Sequence, residues 1–361
     1  MLIMPGWVTT IFMEALIMKS EILTGILAFS LLLPGMDATA RAKKAVPVYV
    51  YDVSKRVFYP SDYSLKTPDS RVLRGERLVI VLYAREFSQG NAVYAEIIER
   101  SPVGAKRLNI RGLYFQGRKV PLTRRDWGYR GLFAIPARMK PGLKNLSVRY
   151  SCGFRKCTKD FVLKTGATRF HFYPVPLDLG RYSDMDYGRK PEVRALIEKC
   201  SRKKKRVFRK NSPDMLGRVR AHPRDMHYIT SPFWAKRALV RFVRRGGRRK
   251  CLKNGIRIHR GLDLRGRKGT PVFAMADGRV ALAEKMFYEG NFIIIDHGNR
   301  VFSYYMHLND IIVSRGQRIY AGKRIGSVGS TGVSTDSHLH VSFVIRGEQV
   351  DPLSILSLPM R

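Results

Sequence analysis

Five side chains in the last third of the 361-residue chain have the types and spacing of a hydrolytic metal site: His259 and Asp263, then His307, then His338 and His340 on either side of Leu339. A catalytic zinc takes three protein ligands, commonly imidazole nitrogens and carboxylate oxygens, and keeps a fourth position for water. Five groups therefore leave two for proton transfer. No cysteine stands between these residues, which argues against a soft structural metal site.

The elements that must position these groups are read from hydrophobic alternation. In His338-Leu339-His340-Val341-Ser342-Phe343 the apolar residues Leu339, Val341 and Phe343 alternate with polar ones, the pattern of a half-buried strand. Both histidines then share one face. Around Ile258-His259-Arg260-Gly261-Leu262-Asp263-Leu264 the alternation is partial. A strand puts His259 and Asp263 on a common side, and a helix with its i and i+4 positions stacked does the same. Gly261 and the strand-rich surroundings favour the strand.

Either pair alone is common by chance, and the pairs gain meaning from the text between them: Gly269-Thr270-Pro271-Val272, Ala276-Asp277-Gly278, Ile294-Ile295-Asp296-His297-Gly298, Tyr305-Met306-His307-Leu308 and Gly326-Ser327-Val328-Gly329-Ser330-Thr331-Gly332. With these motifs in this order, residues 231–356 resemble the lysostaphin-type (LytM domain) zinc metalloendopeptidases, peptidoglycan hydrolases that cut peptide cross-links. His259 and Asp263 match the family's His-x-x-x-Asp, and His338 and His340 match its His-x-His.

The resemblance implies Zn2+ held by His259, Asp263 and His340, with His307 and His338 as the catalytic histidines and Tyr305 and Asn291 lining the substrate groove. Two places depart from the family pattern. Asp336-Ser337 stands where Gly-Pro is common, and Val341-Ser342 where Phe-Glu is common. Neither removes a ligand; both bear on the groove and on the orientation of His338. Asp296 and His297 read as a strand end and turn, and His171, His222 and His227 as structural or surface residues.

The N-terminus points to export. An apolar run from Ile22 to Leu33 follows Lys19 and precedes Pro34-Gly35 and the small-x-small patterns Ala38-Thr39-Ala40 and Ala40-Arg41-Ala42, so residues 1–42 read as a signal peptide or leader, with Met18 an alternative start. The run is shorter than the ~20 residues that span a bilayer, and an uncleaved anchor is the competing reading. Four cysteines agree with an oxidising compartment. Cys152 with Cys157 and Cys200 with Cys251 is one pairing, and a four-cysteine structural zinc is the other use.

The expected fold is mainly β, in two domains. Short β-like runs separated by Gly, Pro and Asp turns fill residues 46–165 and predict a β-sandwich-like accessory domain; its Gly128-to-Pro136 stretch resembles the β-rich domain preceding some exported peptidases of this family. Residues 166–230 read as a basic linker or packing arm, with a helix from Pro191 to Cys200, and residues 231–356 as an antiparallel LytM-type peptidase domain. A second cationic cluster, from Arg241 to Lys250, is expected on a loop near the groove.

Lysine and arginine number 67 against 28 acids, a formal net charge of +39. Cations on this scale bind polyanions by counterion release. No helix-turn-helix, zinc-finger or RNA-binding signature accompanies them, so no specific nucleic acid is expected. For an exported protein the partners are peptidoglycan peptide stems, with anionic envelope polymers or lipid headgroups on the basic clusters, and a monomer is the default. The sequence thus reads as an exported, periplasmic or envelope zinc metalloendopeptidase acting in cell-wall remodelling. The alternative is a LytM-like non-catalytic activator or localiser of another wall hydrolase, which loss of zinc ligands would mark; a nucleic-acid binder ranks below both.

Overall fold

Alternating apolar residues in the first half assemble two antiparallel sheets. The computed structural model describes residues 49–52, 57–60, 66–100, 107–224 and 228–360. The leader, the Met18 start and His227 lie outside the described residues, as does the beginning of the strand expected from Val46; its described part is Tyr49–Asp52.

One sheet of the accessory domain orders Asp69–Arg74, Leu78–Ala84, Ala92–Glu99, Gly128–Ala134 and Leu122–Arg125. The other orders Arg155–Thr165, Gly142–Cys152, Asn109–Phe115 and Arg118–Val120. Their inner faces bury Ile80, Leu82, Val93, Ile97, Leu113, Phe133, Leu146, Val148 and Leu163 in one core. This is the expected sandwich. Two-residue periodicity is what lets each strand give one face to that core and the other to solvent.

The cysteines do not pair. In the hairpin register Cys152 lies opposite Arg155 and Cys157 opposite Tyr150. Arg77 Nη1 donates to Cys152 Sγ at 3.1 Å. Cys200 is buried while Cys251 is exposed on another element, and all four are free thiols, so neither the disulfides nor the four-cysteine site expected from sequence forms here.

The C-terminal sheet is antiparallel throughout, in the order Ile229–Ser231, Leu262–Arg265, His338–Ile345, Val301–Leu308, Gly290–Gly298, Gly278–Met286 and Arg318–Ile319, with Glu348–Val350 beside His338–Ile345. One face sends Leu262, Leu264, Ile293, Ile295, Tyr305, Leu339, Val341 and Phe343 into a core that Ala92, Tyr94, Leu132 and Ala134 of the sandwich join. The sandwich is thus docked by shared apolar burial, reinforced by Arg85–Asp351 at 3.1 Å and Arg130–Asp214 at 2.8 Å.

The opposite face carries Phe292, Ile294, Phe302, Tyr304 and Val344. The helix Pro191–Phe208 covers part of it. Proline opens the helix at its first turn, where a missing N–H costs nothing, and Val193, Cys200 and Val207 are its buried stripe. It runs past the expected end at Cys200 and takes in the whole basic run 202–206, and Leu196 on its outer side is 45% exposed. Lys203 pairs with Glu284 at 2.6 Å and Lys204 with Glu289, tying the helix to the sheet.

The second cationic cluster sits on a long hairpin, Lys236–Arg245 with Arg248–Ile258, instead of a loop. Phe172–Leu177, from the segment expected to be a linker, adds a parallel strand to its other side. The tip spends its charges on Asp178 and Asp184, through Arg249 at 2.6 Å and Arg244 at 3.1 Å. The base runs directly into His259.

Candidate metal centre

The antiparallel register places Asp263 directly opposite His340 and Arg265 opposite His338. Such pairs share a sheet face with Cα atoms about 4.5–5.5 Å apart, so two strands alone deliver the carboxylate and both histidines of the His-x-His. His259 does not belong to the same strand as Asp263. The hairpin strand ends at Ile258 and the next begins at Leu262, and the turn between them folds His259 back over Asp263. Gly261 makes that turn possible, because a Cβ there would strike Ser342 Oγ, His340 Nε2 and the Val341 carbonyl.

The three groups named from sequence as ligands converge. His259 Nε2 lies 2.9 Å from Asp263 Oδ1 and 2.9 Å from His340 Nδ1, and His340 Nδ1 lies 2.8 Å from Asp263 Oδ1. All three residues are buried. The outer nitrogens fix the tautomers. His259 Nδ1 donates to the Pro232 carbonyl at 3.0 Å, and His340 Nε2 donates to Ser342 Oγ at 3.0 Å, which itself donates to the Arg260 carbonyl at 2.9 Å. Each inner nitrogen therefore presents a lone pair.

Two lone pairs and a carboxylate oxygen facing one another repel unless a cation lies among them. That donor set, two imidazoles and one carboxylate with outer hydrogen bonds in place, fits a divalent zinc-type ion. Burial lowers the His340 pKa to about 4, partly offset by Asp263, so the imidazole is the neutral form that a metal ligand requires. The Asp263 carboxylate turns Oδ1 toward His259 Nε2 and His340 Nδ1. Its second oxygen accepts from Arg237 Nη2 at 2.6 Å, and Arg237 Nε donates to Ser231 Oγ at 3.2 Å.

His307 arrives by a break in strand periodicity. Ile293 pairs with Tyr305 but Asn291 pairs with Leu308, so Met306 and His307 together oppose Phe292 in a β-bulge. His307 takes φ 62°, a left-handed backbone that few non-glycine residues adopt and that concentrates at functional sites. The bulge turns its ring onto the face carrying His338, 4.9 Å away between centroids, and His340, 6.2 Å away. His307 Nδ1 donates to the Thr331 carbonyl and His338 Nδ1 to the Asp336 carbonyl, both at 2.8 Å. Each keeps Nε2 free as a base, that of His338 lying 3.8 Å from Asp263 Oδ1. Burial, then the neighbouring His338 and His340, lowers the His307 pKa to about 3.

These groups open into a groove of about 1100 Å³. Its floor holds the five site residues, and one wall comes from Tyr173, Val175, Leu177, Ile256 and Ile258. Of the described accessory domain, Arg138 alone reaches it.

The two residues expected to line the groove do not. Tyr305 is fully buried on the opposite sheet face, its hydroxyl accepting from the Met275 N–H at 2.8 Å. Asn291 donates its amide to the Asn309 carbonyl at 2.9 Å. Their neighbours Tyr304 and Glu289 line the groove in their place. Asp296 and His297 are structural, as expected: His297 donates from Nδ1 to the Asp277 carbonyl at 2.6 Å and accepts Ser303 Oγ at 2.9 Å. His222 is fully buried and donates to the Arg224 carbonyl; His171 is exposed.

The antiparallel sheet thus presents a His-Asp-His donor set beside two further imidazoles. Residues 257–352 match peptidase family M23, and the chain carries a LytM-type domain of that family.

Among its relatives, the peptidoglycan DD-endopeptidase ShyA of Vibrio cholerae is 39% identical over 102 residues, 28% of this chain and 24% of that protein. The murein hydrolase activator NlpD of Escherichia coli is 38% identical over 99 residues, 27% of this chain and 26% of that protein. The chain spans about a quarter of the length of these curated relatives. A crystal structure described as a peptidase M23 from Pseudomonas aeruginosa is similar in fold over 76% of this chain and 96% of that one, with a TM-score of 0.50 at 24% identity. The shared fold thus extends beyond the peptidase segment.

Proposed function

We propose that the protein is an exported zinc metalloendopeptidase that hydrolyses peptide cross-links of bacterial peptidoglycan in cell-wall remodelling. The observation that carries this reading is the meeting of three lone-pair donors at one buried point with two uncommitted imidazole nitrogens beside it. When bound by His259, Asp263 and His340, zinc supplies a Lewis acid for the scissile carbonyl and lowers the pKa of water toward ~7.

The chain's own residues do the rest. His307, neutral because it is buried, accepts the proton of the attacking water at Nε2. The imidazolium formed at His307 returns that proton to the departing nitrogen, and His338, across the same space with its own Nε2 lone pair, takes the water's proton in its place where the water lies nearer to it. General acid–base help of this kind contributes about 10²–10⁴-fold. A C–O bond forms, the C–N bond breaks, and the departing nitrogen leaves as a neutral amine. The groove's volume of about 1100 Å³ admits a peptide, and the likeness to a peptidoglycan DD-endopeptidase supports the substrate class.

A second reading rests on the similarity to NlpD: a non-catalytic activator or localiser of another wall hydrolase. The intact donor set favours turnover. Digestion of cross-linked peptidoglycan by the zinc-loaded protein beside His340→Ala separates the two, with released muropeptides analysed by mass spectrometry. Cleavage by the unaltered chain alone supports the endopeptidase; no cleavage, with stimulation of a second hydrolase, supports the activator.

A further inference from the structure

The groove carries positive charge that the protein leaves unmatched. Arg138, Arg237, Arg257, Arg260 and Arg265 line it, against Asp263, Glu289 and Asp336. Two of those acids are already engaged, Asp263 by Arg237 and Glu289 by Lys204 from the helix behind. Asp336 is exposed and accepts the Ser337 N–H. Among the described residues, none of Arg138, Arg257, Arg260 and Arg265 forms an ion pair, although at the hairpin tip Arg244 and Arg249 do. A divalent ion in the centre adds to the excess.

The four are placed around the reacting centre. Arg260 follows the ligand His259, Arg257 precedes it by two residues, and Arg265 stands opposite His338 in the strand register. Arg138 comes from the accessory domain. Two of the guanidinium carbons lie over aromatic rings, Arg138 Cζ 5.7 Å from the Trp234 centroid and Arg265 Cζ 5.9 Å from that of Tyr228. A cation–π contact restrains the guanidinium in advance and lowers the entropy lost when it grips a carboxylate. The apolar wall, with Val175 79% and Ile256 68% exposed, displaces water beside these forks once a peptide lies on it and strengthens their pairing.

We propose that Arg138, Arg257, Arg260 and Arg265 read free carboxylates flanking the scissile bond, so that the enzyme selects acidic peptides over the same peptides with those groups amidated. This rests on the endopeptidase reading and adds the substrate feature recognised. Guanidinium–carboxylate forks are charge-assisted and bidentate, and the carboxamide offers neither the charge nor two equivalent acceptors. Salt weakens the discrimination, because the arginines are exposed.

The test uses two synthetic cross-linked peptides that differ only in carboxylate or carboxamide on either side of the bond. Their kcat/KM values are measured for the zinc-loaded full chain and for the double variant Arg257→Gln/Arg260→Gln. The unaltered chain should favour the carboxylate form by about tenfold or more, as one charge-assisted fork supplies, and the variant's ratio should fall toward one. Equal rates on both peptides, or an undiminished ratio in the variant, overturns the proposal while leaving the hydrolase intact. Binding of the same peptides, fluorescently labelled, to His307→Ala is followed by anisotropy. If neither peptide is cut but the acidic one binds preferentially, the arginine reader stands and the endopeptidase reading falls; no preference in binding or in rate removes the reader.

Discussion

Replacing Ser342 by alanine should weaken zinc binding without touching a ligand. Its hydroxyl accepts the Nε2 proton of His340 at 3.0 Å and passes a hydrogen bond to the Arg260 carbonyl at 2.9 Å, with Ser342 and His340 both buried. Alanine leaves that N–H buried without an acceptor, which costs about 1–3 kcal/mol. The imidazole escapes the penalty by moving its proton to Nδ1, where Asp263 Oδ1 waits 2.8 Å away, and this occupies the lone pair the metal needs. Either way the affinity falls, by about 10–100-fold, the usual loss when the outer partner of a ligating histidine is removed. Competition against a chromophoric chelator at neutral pH measures it, with thermal unfolding of the metal-free proteins as the check on folding. A folded Ser342→Ala with the affinity of the unaltered chain would refute the argument that this hydroxyl sets the His340 tautomer.

His340→Ala should lose both zinc and hydrolysis, whereas His307→Ala should keep the metal and lose about 10²–10⁴-fold in turnover; equal zinc loss in both variants contradicts the division of roles. Gly261→Ala drives a methyl into Ser342, His340 and the Val341 carbonyl, so it should destabilise the fold by about 1–3 kcal/mol and loosen zinc; an unchanged melting temperature and affinity would sink this. Burial lowers the pKa of His297 to about 4 and of His222 to about 3. The unfolded chain takes up these protons near pH 6.5 and the folded one does not, so stability is full above about 6.5 and falls as pH drops through 4 to 3; a melting temperature flat from pH 6.5 to 4 argues against it. Neutralising Arg202, Lys205 and Arg206, the exposed cations of the basic run 202–206, should weaken binding to anionic vesicles more at low salt than at high salt, and a salt-independent loss would point to folding instead.

The convergence of His259, Asp263 and His340 was legible because the information is local. Two-residue alternation puts His338 and His340 on one face, and His259 with Asp263 needs only a short turn. Tyr305 was misplaced in the groove beside His307. Strict alternation puts both on one face, and the bulge at Met306 and His307 separates them, an event set by pairing with Phe292. Ser231, Pro232 and Arg237, which hold the outer sides of His259 and Asp263, approach through the fold from 26 to 28 residues away. No motif in the sequence marks them. The β-sandwich was visible in its alternating strands, while the basic hairpin was read as a loop because charged residues on both faces of an edge strand hide its periodicity. The helix was cut short at Cys200 because its cationic second half masks a buried stripe spaced seven residues apart.

The outer half of the metal centre belongs to chain that precedes the M23 segment. Pro232 holds one ligand, Arg237 holds another, and Phe172–Leu177 supplies part of the wall against which a peptide would lie. The smallest transferable unit of this site therefore begins upstream of Phe172. Excised at residue 257, the domain would retain every ligand and lose the grip that orients two of them, so a graft of the motif-bearing segment into another scaffold would carry the chemistry's letters without its spelling.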